Sequence, residues 1–213
     1  AGGDRDHLED WLEFNTFLSF LPAAGRAVFY PTYQGTFQRF DPTFVPIHMG
    51  TATRAYSDYA VELVQDFMRS LDYLETRDDI DMSRLAFYGM SWGGVMGTVI
   101  PAVDERVRAN ILLAGGIPTA FTSRPEVDPW NYVSRVRQPT LMISGRYDTM
   151  FLLDKGIQPT FDALGTPAAD KALRLYDTDH IPPRADFIRD VLDWLDTYLG
   201  PVERRPCPDP TCT

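Results

Sequence analysis

The sequence predicts an α/β fold: a mostly parallel sheet with helices on both faces. Three observations predict it. Short apolar runs of strand length recur along the chain and alternate with longer segments of helical period. Gly, Pro, Asp and Asn punctuate the boundaries between them. The glycine-rich stretch Gly89-Met90-Ser91-Trp92-Gly93 falls where one such run passes into a small-residue helix. With 213 residues, 44% of them hydrophobic, the chain can bury the core of one domain. We assign residues 1–200 to that domain and 201–213 to a Pro-rich flexible tail.

The elements follow in order. Residues 8–21 carry Leu8, Trp11, Leu12, Leu18 and Leu21 at near-helical spacing, which predicts a sheet-covering helix. Arg26 to Pro31 reads as a short buried strand ended by Pro31, and Thr32 to Tyr56 as a loop. Ser57 or Asp58 is the expected cap of the next helix. Its stripe is Ala60, Val64, Phe67, Met68, Leu71 and Leu74. Arg84 to Gly89 is the second strand, and residues 92–100 form a helix able to pack closely on a sheet. Asn110 to Gly116, Pro139 to Gly145 and Leu173 to Tyr176 are the remaining strands. The last helix has the stripe Phe187, Ile188, Val191, Leu192, Leu195, Tyr198 and Leu199, with Gly200 as C-terminal cap and Pro201 as stop.

Charge narrows the partners. The formal net charge is −10 and Lys and Arg form no cluster, so nucleic acid binding is not expected. No apolar run approaches the roughly 18 residues of a membrane span. The start, Ala1-Gly2-Gly3-Asp4-Arg5-Asp6, is polar and does not read as a signal peptide. A cytoplasmic location is expected. Both cysteines, Cys207 and Cys212, lie in the tail. They read as free thiols, with a local disulfide or part of a metal site as alternatives.

The chemistry centres on Ser91. Gly89-Met90-Ser91-Trp92-Gly93 matches a G-x-S-x-G turn, which lifts a serine hydroxyl from the end of a strand. The amide of Trp92 then faces a developing oxyanion. The acid is expected just after a later strand, and Gly145-Arg146-Tyr147-Asp148 places Asp148 there. Asp154 competes, but sits at a helix start. Of His7, His48 and His180, only His180 follows the fifth strand, so it is the base and the others are surface residues. The order Ser, Asp, His is consistent with this assignment. The three histidines show no metal-ligand spacing, and neither metal nor cofactor is expected. Gly3 is the candidate second oxyanion donor. Phe121, Trp130, Tyr132, Met150, Phe151 and Leu152, with Trp92, are candidates for an apolar substrate pocket or for core packing. Asp78, Asp79 and Asp81 read as a solvated loop with a link from Asp81 to Arg84, and calcium binding is the alternative.

Together these residues resemble the dienelactone-hydrolase and prolyl-oligopeptidase branch of the α/β-hydrolase superfamily, over nearly the whole chain to Gly200. Several stretches are similar to hydrolase domains fused to bacterial serine/threonine kinases. They are Gly25 to Pro31 with Tyr33-Gln34-Gly35-Thr36, Leu71 to Arg77, Glu126-Val127-Asp128-Pro129, Gly145 to Asp148 and Asp193 to Gly200. The resemblance implies an α/β-hydrolase fold and a cofactor-free serine esterase acting on small carboxylic esters. It also implies covalent linkage to a kinase or other domain in a longer protein. Family members begin with further strands, including a central one leading into the oxyanion loop. Here that strand would precede Ala1, so the first strands are missing and a longer parent is expected. Two other readings stay open. A serine peptidase of prolyl-oligopeptidase type would prefer aminoacyl amides to simple esters. A non-catalytic regulatory domain would retain the fold without the reaction.

Overall fold

The computed structural model describes residues 14–36, 39, 51–118 and 122–202. Its sheet contains β1 (Ala86–Met90), β2 (Ala109–Leu113), β3 (Thr140–Gly145) and β4 (Lys171–Tyr176), paired in that order. Every neighbouring pair is parallel, so each connection crosses one face of the sheet. β2 and β3 are buried at every residue, which is why they read as unbroken apolar runs rather than as alternating ones.

Alternate side chains divide the core between two faces. On one face Ile111, Leu113, Leu141 and Ile143 pack with Phe187, Val191 and Leu195 of the last helix, α6 (Arg184–Leu199). Phe20 and Leu21 of α1 (Phe20–Ala23) join them. On the other face Leu112 and Met142 pack with Val95 of α3 (Trp92–Met96) and with Ile157. At the β1 side Phe87 meets α2 (Arg54–Glu75), where its ring lies edge-on to Phe67 at 5.5 Å. No helix among the described residues is long and apolar enough to cross a membrane.

Three expectations are corrected. α2 begins at Arg54, not after Ser57 or Asp58. Thr53 has extended backbone and its hydroxyl accepts from the Tyr56 amide at 3.2 Å, so it caps the helix four residues before Ser57. Ser57 is buried within the first turn. Second, Arg26 to Pro31 is neither a strand nor buried. β1 is an edge of the described sheet, and the segment forms no ladder with it. Phe29 and Tyr30 are 45% and 42% exposed. Strand identity needs a hydrogen-bonded ladder, and among the described residues the segment forms none. Third, residues 92–100 do not form one helix. α3 stops at Met96, and α4 (Ile100–Val103) restarts with Pro101 in its first turn, where a missing N–H costs nothing.

The link read between Asp81 and Arg84 is present: the Arg84 N–H donates to the Asp81 carbonyl at 3.0 Å, and, after the hydrogen bonds from Ser83, the charge of Arg84 helps to lower the Asp81 pKa. The Arg84 guanidinium donates to the carbonyls of Leu199 at 2.6 Å and Gly200 at 2.9 Å, capping α6. Gly200 ends that helix at φ 79°. The Asp81 carboxylate also accepts from the Ser83 amide at 2.9 Å, and Asp79 pairs with Arg77. Residues 14–17 are helical, as predicted for 8–21, and the rest of that prediction before them lies outside the described residues. So do His7, His48, Cys207 and Cys212.

Candidate active site

The site is built at the C-terminal end of the parallel strands, where strand-to-helix turns leave side chains free to converge. β1 ends at Met90 and α3 begins at Trp92. Ser91 must reverse the chain between them, and does so at φ 52°, ψ −109°. That positive φ is strained for a residue with a side chain. The turn is also tight. A Cβ on Gly89 would run into the carbonyl of Gly93, so the first glycine of the motif is needed for close approach.

β3 ends at Gly145 and leads into the segment carrying Asp148. β4 ends at Tyr176 and leads into the segment carrying His180. Two backbone hydrogen bonds tie these segments together: Arg146 N–H to Tyr176 O at 2.7 Å, and Tyr147 N–H to Thr178 O at 3.0 Å. The Arg146 guanidinium adds an exposed ion pair to Asp177 at 2.9 Å. Gly145 makes the approach possible, because a Cβ there would overlap the Asp179 carbonyl oxygen.

Asp148 is buried, with its carboxylate fully shielded. One oxygen accepts from the amides of Met150 at 2.8 Å and Phe151 at 3.0 Å. The other lies 2.8 Å from His180 Nδ1. His180 Nε2 lies 3.0 Å from Ser91 Oγ. A carboxylate fixed on one side leaves one oxygen to receive the ring N–H, which selects the tautomer with a bare Nε2. A bare Nε2 at hydrogen-bond distance from a hydroxyl can accept its proton. The imidazole remains 19% exposed, so the ring is reachable from solvent while its carboxylate partner is not.

The three side chains singled out in the sequence are thus brought together. Trp92 follows Ser91 as the first residue of α3, and its ring lies edge-on to Tyr56 at 6.3 Å. Phe151 is buried and faces His180. Met150 and Trp130 are exposed, at 60% and 37%. Gly3 and Phe121 lie outside the described residues. Two contributors escaped the sequence reading. Tyr56 was assigned to a loop, although it continues the Ala60–Val64 stripe by one helical step. Gly145 carried no local signal, because the backbone it accommodates is 34 residues away.

No protein-family model matches the chain. A 55-residue stretch is 31% identical to a Bacillus subtilis protein named "Putative hydrolase YtaP", covering 26% of this chain and 18% of that one. Among solved structures, an acetyl xylan esterase from Paenibacillus sp. R4 superposes with a TM-score of 0.56 at 21% identity, over 66% of this chain and 54% of that one. A cold-adapted esterase from an Arctic intertidal metagenomic library superposes with a TM-score of 0.58 at 21% identity, over 68% and 58%. The chain therefore spans little more than half the length of these structures. The fold is an α/β fold with a parallel sheet, of the kind found in α/β hydrolases.

Proposed function

We propose that the chain is a serine hydrolase that cleaves small carboxylic esters through an acyl-enzyme. One observation carries the reading: the unbroken path from Asp148 through His180 to Ser91, at 2.8 and 3.0 Å. The similarity to esterases of the same fold supports it.

In this mechanism His180 Nε2 takes the proton of the Ser91 hydroxyl as Oγ attacks the ester carbonyl carbon. Asp148 holds the imidazole and stabilises its charged form. The Trp92 amide receives the carbonyl oxygen as it becomes negative. Collapse breaks the bond to the alcohol oxygen, which leaves with the proton from His180. Water then attacks the acyl carbon, giving a proton to His180; the acyl–Oγ bond breaks, His180 returns the proton to Ser91 Oγ, and the carboxylic acid is released. No step calls for a metal or a redox group.

Fluorophosphonate labelling tests the proposal, with mass mapping of the adduct. The expected result is one adduct on Ser91 that is lost in His180→Ala. A folded chain that takes no label, or takes it elsewhere, overturns the reading. The link to a kinase or other fused domain rests on sequence resemblance, and is proposed only on that basis.

A further inference from the structure

Among the described residues, two that bear a side chain take a positive φ: Ser91 at 52° and Ala114 at 49°. They stand side by side. Met90 of β1 is paired with Leu113 of β2, so Ser91 and Ala114 are the next residues along the two neighbouring strands. The Ser91 N–H donates to the Leu113 carbonyl at 2.9 Å across that boundary. Such backbone is unfavourable for alanine, whose Cβ crowds the carbonyl oxygen that follows. Ser91 takes it to turn from strand to helix. Ala114 is fully buried and carries only a methyl, so what its strained backbone alters is the path of the chain.

That path leads to Gly115, which lies against Gly94, the third residue of α3. The approach is backbone to backbone. A Cβ on Gly115 would stand 2.8 Å from the Gly94 Cα, and one on Gly94 would stand 2.7 Å from the Gly115 Cα. No side chain can rotate to relieve such a contact. α3 is therefore seated on β2 at three points. Its start is held by the Ser91 N–H on Leu113, its middle by Gly115, and the turn after it by Asn110 Nδ2, which donates to the Gly97 carbonyl at 3.0 Å.

The seat matters because the two halves of the site are carried separately. Ser91 and the Trp92 amide ride on β1 and α3, while Asp148 and His180 follow β3 and β4. β2 lies between them, and the Ala114 N–H donates to the Ile143 carbonyl of β3 at 2.7 Å. One turn thus touches both halves. Resting on the esterase reading above, we infer that Ala114 and Gly115 are positioning residues for the nucleophile. Their turn sets the height of α3 and so holds Ser91 Oγ at 3.0 Å from His180 Nε2. Neither residue touches the substrate.

Gly115→Ala tests this in the full chain, with 4-nitrophenyl acetate as substrate and a fluorophosphonate as label. The added methyl must push α3 off its seat. A misplacement near 1 Å costs about 10²-fold, so kcat should fall by about that factor while KM stays within about twofold. Labelling of Ser91 should slow in parallel. Ala114→Val is the second variant should the first misfold, because a β-branched residue does not keep a positive φ, and it should behave alike. Ala114→Gly keeps the turn without strain and should stay within about threefold of the wild type. Leu199→Ala supplies a loss of stability at the far end of β1, where Arg84 meets α6, and should leave kcat unchanged. A folded Gly115→Ala or Ala114→Val with wild-type kcat overturns the inference and leaves the esterase reading standing. So does a loss as large in Leu199→Ala or Ala114→Gly. A folded wild-type chain whose Ser91 takes no label overturns the esterase reading, and the positioning role with it.

Discussion

The ring of Phe151 lies nearly parallel to the imidazole of His180, with centroids 5.7 Å apart and 20° between the planes. The same residue donates its amide to Asp148. One residue therefore contacts the proposed base through its side chain and the proposed acid through its backbone. Phe151→Leu keeps the amide and most of the volume but removes the stacked face. Such a contact contributes about 1 kcal/mol beyond burial. The expected outcome is a kcat about fivefold lower with KM little changed, read from steady-state ester hydrolysis.

In the proposed mechanism Asp148 acts by fixing a tautomer, and its carboxylate is fully shielded from solvent. An amide at this position offers an N–H where the ring N–H must be accepted. Asp148→Asn should lower kcat by about 10⁴-fold, the scale seen when a buried triad carboxylate is made an amide. Thermal melting should show that the fold persists. Activity within tenfold of the wild type would remove Asp148 from the mechanism.

Gly145 allows the close approach of the backbone that carries the proposed base, His180. A methyl at this site must push the Thr178–Asp179 backbone away, and His180 is the next residue. A displacement near 1 Å costs about 10²-fold in rate. Gly145→Ala should slow fluorophosphonate labelling of Ser91 by at least that factor. Far-ultraviolet circular dichroism, unchanged, would separate this effect from unfolding.

Asp104 gives a stability prediction with a defined pH sign. Its side chain is 4% exposed and is held by Arg106, which also reaches Asp72 of α2 at 2.8 Å. The hydrogen bond from Arg106 lowers the Asp104 pKa below the ordinary carboxylate value. A lowered folded-state pKa stabilises the fold above the unfolded value of about 3.9, and that contribution is lost as the pH falls through the folded value. Asp104→Asn should cost about 2 kcal/mol at neutral pH, measured by urea unfolding. The gap between variant and wild type should close below about pH 4.

What the sequence made legible depends on how local the deciding physics is. β2 and β3 were legible because burial on both faces demands apolar side chains at every step. Ser91 was legible because a strand-to-helix reversal needs glycine beside it. Asp148 and His180 were legible as positions because each follows a strand end within four residues. The segment Arg26 to Pro31 was misread because its composition suits a strand, while strand formation is settled by a neighbour. The cap of α2 was misread for a smaller reason: several Thr, Ser and Asp residues stand near its start, and only backbone geometry selects Thr53. Gly145 was invisible because its partner is distant in sequence. Gly3 and Phe121 fall outside the described residues.

The positive φ of Ser91 sets two demands against each other at one position. Backbone in that region costs a side-chain-bearing residue on the order of 1–3 kcal/mol, and glycine is spared that cost. A population screened for heat resistance alone would therefore drift toward glycine at the very residue proposed to react. Engineering for durability has to be coupled to an assay for turnover, or it will enrich well-folded proteins that do nothing.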